Sequence, residues 1–164
     1  MSTLSCACGK VEYEATGSAI IAVACYCDDC QEGARRIEAL PGAPPVRDAD
    51  SGTACVLYRK DRVRCTQGAE LVTKLKLRDG TATNRLVASC CNSGLAMSFD
   101  DSKHWMSLFR ARFRGPVQPL DMRICTRFAP DPARIPQDVP AHKGFTFGFI
   151  WKLLGARFAI MLGR

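Results

Sequence analysis

At 164 residues, 47% of them apolar, the chain is long enough for one domain with a real core, and its ten cysteines fall below the density of small disulfide scaffolds. The net charge of +7 is uneven: Lys103 to Arg164 carries 11 Lys/Arg against 3 Asp/Glu, whereas Met1 to Ser102 carries 12 against 13. That distribution predicts an anion-facing surface or tail and gives no strong nucleic-acid signal.

The first residues, Met1 to Cys6, show no basic region followed by an apolar run. A cytoplasmic, reducing setting is therefore expected, in which clustered thiols favour metal over disulfides. Cys6-Ala7-Cys8-Gly9 is the first thiol pair, with a glycine offering a turn. Val11 to Ala15 alternates apolar and polar residues, the mark of a half-buried strand. Ile20 to Ala24 is a short β-branched run, read as a buried strand that delivers the chain into Cys25-Tyr26-Cys27-Asp28-Asp29-Cys30. Three thiols in six residues make poor disulfide partners. As thiolates, the C-x-C-x-x-C spacing lets one tight turn aim several sulfurs at a single ion. Three protein ligands with no obvious fourth is the pattern of an open, reactive zinc site.

Gln31 to Ile37 predicts a brief helical turn, followed by a loop of about fifteen residues with Pro41-Gly42-Ala43-Pro44-Pro45 at its start. Strands are expected over 54–58, 63–66, 71–77 and 83–89, with Arg78-Asp79-Gly80-Thr81 as a hairpin turn and a cysteine turn at Cys90-Cys91-Asn92-Ser93-Gly94. Cys55 and Cys65 stand alone in strand-like runs and read best as small core hydrophobes.

These residues, taken in order, resemble the glutathione-dependent formaldehyde-activating enzyme family, also called centromere-protein-V-like. The resemblance rests on Cys6-Ala7-Cys8-Gly9, Cys25 to Gln31, Thr66-Gln67-Gly68 and the cysteine turn ending at Gly94, and it covers about residues 3–98. It implies a mainly β, Mss4-like β-tent with zinc-binding cysteine clusters, here followed by a C-terminal extension ending in an apolar helix. It also implies two zinc sites. A structural one would use Cys6 and Cys8 with Cys90 and a further ligand from the later turn. A catalytic one would use Cys25, Cys27 and Cys30, leaving a position for a substrate thiolate. The family's later turn reads C-x-x-C-G, and here the second cysteine is replaced by Ser93, so the fourth structural ligand is Cys91, Ser93 or none. Tyr26 stands where the family often has histidine. The implied activity is carbon–sulfur lyase chemistry on glutathione or a related thiol–aldehyde adduct. Two other readings stand beside it: a non-catalytic zinc-stabilised binding module, and an interaction protein acting through its basic tail.

Chemistry read from the residues agrees. Zinc held by three thiolates carries a formal charge of −1 and suits thiolate activation better than making hydroxide from water. The sequence has no G-x-G-x-x-G, P-loop or H-E-x-x-H, and His104 and His142 lie far along the chain from the thiols.

Beyond the turn, Arg110, Arg112 and Arg114 alternate with Phe109, Ala111 and Phe113. On a strand this sets three guanidiniums on one face, either solvated or forming an anion cradle for a ligand's carboxylates. Residues 115–141, rich in proline, read as a wrap or linker that separates a zinc-binding domain at 1–114 from a basic-apolar helix at 142–164. Residues 145–162 hold 13 apolar residues interrupted by Lys152 and Arg157. Two charges in 18 residues argue against a span and for a helix docked on a protein or lying on a membrane, a peripheral placement.

Overall fold

The computed structural model describes residues 1–163; Arg164, the end of the 142–164 segment, lies outside them. Eleven strands and two α-helices make up the described chain: β1 (Ser2–Ser5), β2 (Glu12–Ala15), β3 (Ile21–Cys25), α1 (Asp28–Glu38), β4 (Thr53–Arg59), β5 (Val63–Gln67), β6 (Val72–Leu75), β7 (Thr83–Ala88), β8 (Ser93–Phe99), β9 (Trp105–Phe109), β10 (Phe113–Arg114), β11 (Met122–Ile124) and α2 (Phe147–Met161). They form a four-stranded sheet in the order β10-β1-β2-β5 and a seven-stranded sheet in the order β11-β3-β4-β9-β8-β7-β6.

β3 positions everything else. All five of its residues are buried, and side chains alternate across the sheet. Ile21, Val23 and Cys25 face one core with Ile37, Leu57, Phe149 and Leu153. Ala22 joins the core that the two sheets share, with Leu4, Val11, Val56 and Leu108. Ala24 and Tyr26 pack with Ala129 and Ile135. The β3 alternation thus sends Cys25 toward the helices and Tyr26 the opposite way.

The helical turn expected over 31–37 is a full helix that starts inside the thiol motif. Cys30, Gly33, Ala34 and Ile37 recur at helical spacing and are its buried face. Glu32 pairs with Arg35 and Arg36 on the exposed side. The loop that follows therefore begins after residue 38 and is tied down. Glu38 accepts hydrogen bonds from the Val46 and Arg47 amides and pairs with the Arg47 guanidinium. Further on, Asp50 and Arg123 form a buried ion pair at 2.7 Å, and Tyr26 Oη donates to Asp50 at 2.8 Å. Removing one partner of a pair this buried costs about 3–5 kcal/mol, so the network fixes the loop, β3 and β11 to one another.

Within the proline-rich stretch, β11 pairs in parallel with β3, Ile124 opposite Cys25. At the other end of the chain, Thr146 N-caps α2 by accepting the Phe149 amide at 3.1 Å. Phe149 and Leu153 dock α2 on the core, and His104 Nε2 hydrogen-bonds the Leu153 carbonyl at 2.9 Å. Among the described residues no helix is long and apolar enough to cross a membrane.

Candidate metal centres and their cavity

Two groups of thiols converge. The first joins the two sheets: Cys6 and Cys8 from the β1–β2 turn, Cys90 and Cys91 from the β7–β8 turn. The sulfurs of Cys6 and Cys8 are 3.5 Å apart, those of Cys6 and Cys90 3.9 Å, of Cys8 and Cys90 3.4 Å, and of Cys90 and Cys91 4.0 Å. Tetrahedral zinc at about 2.3 Å from each sulfur would set them about 3.8 Å apart. The donor set fits a closed four-thiolate site. Cys91 stands at its fourth corner, and Ser93 instead supports it from behind: its Oγ lies 3.1 Å from Cys91 Sγ and accepts the Ala7 amide at 3.0 Å. The thiols are not equivalent. Burial and hydrogen bonding with Cys8 and Cys6 push Cys90 up to about 12. Burial opposes ionisation of Cys91 too, but hydrogen bonds from Ser93 and the amide of Cys8 hold it at about 6.

The second group is Cys25, Cys27 and Cys30, whose sulfurs lie within 4.8 Å of one another. Cys25 closes β3, Cys27 is the N-cap residue of α1, and Cys30 sits in its first turn. A helix N-terminus favours negative charge, which suits thiolates. Hydrogen bonds from Cys25 and Cys30 hold the Cys27 thiol down at about 3, against the cost of its burial, with the backbone at Cys30 and Asp29 helping. Cys25 is driven strongly upward, first by its hydrogen bond to Cys125 and then by those to Cys27 and Cys30.

Cys125 has no thiol neighbour in sequence, yet the β11–β3 pairing sets it next to Cys25, buried and in the left-handed backbone region at φ 59°. It lies outside the 4.8 Å group. The structure therefore gathers three mutually close thiols, with a fourth held behind one of them.

These thiols form one end of a cavity of about 270 Å³. Its walls are largely apolar, with Leu57, Met97, Phe99, Trp105 and, from the C-terminal extension, Phe145 and Phe149. Cys55, buried in β4, reaches the same wall. Two cations reach the cavity, Arg85 and Lys103. Lys103 is paired with Asp101. Arg85 is buried, which depresses its pKa, while charge interactions with Cys30, Asp29 and Cys27 oppose that.

The arginine alternation expected over 109–114 is broken. Residues 110–112 form a 3₁₀ turn, so the three guanidiniums do not share a strand face. Arg110 Nε donates to the Gln118 carbonyl, Arg112 to the Pro45 carbonyl, and Arg114 to Ser5 Oγ. None lines the thiol cavity. Arg112 and Arg114 lie beside the first thiol group, where Cys91 and Cys6 counter the burial that lowers the Arg112 pKa. The turn at 110–112 lets β9 leave one sheet and β10 enter the other beside β1. Tyr26 also stands away from the cavity: Arg123 donates to its hydroxyl, which donates to Asp50, and burial raises its pKa further.

Residues 1–39 match the family of the glutathione-dependent formaldehyde-activating enzyme, a span that includes Cys6, Cys8, Cys25, Cys27 and Cys30. No curated protein matches the chain. Among solved structures, a crystal structure of a Rhodobacter sphaeroides protein aligns with a TM-score of 0.50 and 20% identity, covering 71% of this chain and 91% of that one. At that identity the likeness speaks for the fold. The matched segment spans 39 of 164 residues. With the two thiol groups and the mainly β two-sheet arrangement it makes the chain similar to the glutathione-dependent formaldehyde-activating enzyme family over its N-terminal part, and the whole fits an Mss4-like fold.

Proposed function

We propose that both thiol groups hold zinc and that the Cys25–Cys27–Cys30 centre acts on a thiol–aldehyde adduct, as a carbon–sulfur lyase of the glutathione-dependent formaldehyde-activating type. The observation that carries this reading is three converging thiols at the wall of a cavity, separate from a set of four that joins the two sheets. When bound, zinc supplies a Lewis acid that keeps a coordinated thiol deprotonated. Cys25, Cys27 and Cys30 would hold it from a rigid strand end and a helix N-terminus, which fixes their geometry better than a free loop would. The apolar walls exclude water and so favour addition of sulfur to an aldehyde over hydrolysis. In the adding direction the C–S bond forms from a sulfur lone pair, and the thiol proton ends on the former carbonyl oxygen; cleavage reverses both. Tyr26, bonded to Asp50 and Arg123, takes no part in that proton transfer.

Titration calorimetry on the zinc-loaded protein tests the reading. Glutathione is expected to bind at least tenfold more tightly than its S-methyl analogue, about 1.4 kcal/mol, because only the free thiol ionises. Equal binding would remove the metal from the thiol site and leave a zinc-stabilised binding module.

A second reading concerns α2. Phe145, Phe147, Trp151, Phe158 and Met161 are each more than half exposed, in the third of the chain that carries the excess positive charge. We propose that this side lies on an anionic membrane surface. Co-sedimentation with phosphatidylglycerol vesicles should retain the protein, and Phe147→Glu with Trp151→Glu should release it. Equal retention on neutral phosphatidylcholine, or none on either, would count against it.

A further inference from the structure

Arg85 is 3% exposed, in the middle of β7. Among the described residues it makes no ion pair. Its Nη2 donates to the Asp29 backbone carbonyl at 2.5 Å. The Asp29 carboxylate is turned to Arg78, at 3.1 Å. A guanidinium this buried without a carboxylate is expensive to keep. The fold nonetheless makes room for it. Gly33 lies on the buried face of α1, and a Cβ there would collide with Arg85 Nε. The helix is hollowed at that point, and the guanidinium passes over it into the wall of the thiol cavity. The cavity's other cation, Lys103, already has Asp101.

We propose that Arg85 anchors an anionic group of the substrate, so that the cavity selects thiols bearing one carboxylate on a short apolar body. This deepens the thiol reading above and rests on it. The chemistry is that of a mercaptocarboxylate: sulfur toward Cys25, Cys27 and Cys30, methylenes against Met97 and Trp105, carboxylate on the guanidinium fork. A tripeptide thiol brings two carboxylates and an ammonium group to a cavity whose charged lining is Arg85, Lys103 already paired with Asp101, and Asp29 already paired with Arg78, among mostly apolar walls. It is therefore the poorer fit.

The test loads the full chain with cobalt(II) and follows the sulfur-to-cobalt absorption during titration with 3-mercaptopropionate and with 3-mercaptopropanol, its neutral counterpart. The carboxylate thiol is expected to bind at least tenfold more tightly. In Arg85→Gln the two should bind alike, with cobalt stoichiometry unchanged; Arg85→Lys, which keeps the charge and loses the fork, should show an intermediate preference. Equal binding of the two thiols to the unaltered chain overturns the anchor while leaving the thiol reading in place, and that comparison needs no variant. Loss of cobalt in Arg85→Gln with the preference intact also overturns it, making Arg85 a counter-charge to the thiolates. If neither thiol perturbs the absorption, the thiol reading fails, and the anchor with it.

Discussion

Cys6→Ser lowers the melting temperature by roughly 10–20 °C, more than any serine substitution at Cys25, Cys27 or Cys30. The size follows from where the first thiol group sits. Cys6 and Cys8 leave the four-stranded sheet and Cys90 and Cys91 leave the seven-stranded one, so an ion held by all four closes a loop of more than eighty residues. A site of this kind does not exist in the unfolded chain, and its binding energy is therefore folding energy. Loss of a structural metal belongs to the few mechanisms that exceed about 4–5 kcal/mol. In a domain of this size each kcal/mol moves the midpoint by about 2–4 °C. Cys6 itself is fully buried, and its sulfur also accepts the Val11 amide at 3.3 Å, so the substitution disturbs the turn as well as the centre. Thermal unfolding of the single variants, with and without a chelator, reads the result. Ser93→Cys serves as the counter-test, because Ser93 is fully buried behind Cys91 and its Oγ accepts the Ala7 amide. It should not raise stability if Cys91 already fills the fourth corner. Equal losses at Cys6 and Cys25 would mean that the two centres do not divide structural and reactive work.

The thiol motifs were legible because metal chemistry writes itself into local spacing. Cys25, Cys27 and Cys30 need only one strand end and one helical turn to converge, and both are local. In the seven-stranded sheet β3, β4, β6 and β7 are likewise legible from alternation and turn residues, whereas β8, β9 and β11 are not, and α1 is longer than the turn expected at 31–37. Its N-terminal turn carries Asp28, Asp29 and Cys30, which read as metal motif before they read as helix. What could not be read depends on contacts across the chain. Arg85 looks like one charge in a β run; only the packing of α1 against β7 at Gly33 reveals a buried guanidinium beside thiols. Cys125 gives no signal because its neighbour, Cys25, is a hundred residues away and is reached through a three-residue parallel strand in proline-rich text. The 109–114 alternation misled for the opposite reason. It satisfies the period of a strand, but the chain spends 110–112 crossing from one sheet to the other. The sequence leaves the fourth ligand open between Cys91, Ser93 and none, since adjacent cysteines do not match C-x-x-C; Asn92, at φ 53°, helps the turn bring both sulfurs to the same side as Cys6 and Cys8.

Loss of one metal equivalent without loss of the fold is expected at the second group. Cys25, Cys27 and Cys30 all belong to one contiguous stretch, so their ion closes no long loop and contributes little to holding the sheets together. Cys25→Ser should therefore empty one site and leave the fold, with the thiol-binding cavity losing its metal end. The measurement is zinc stoichiometry of the purified full chain by mass spectrometric elemental analysis, taken together with its melting curve. The account predicts about two equivalents in the unaltered protein and about one in Cys25→Ser, Cys27→Ser and Cys30→Ser, each with a midpoint close to the starting value. Unchanged zinc content in all three variants would contradict it.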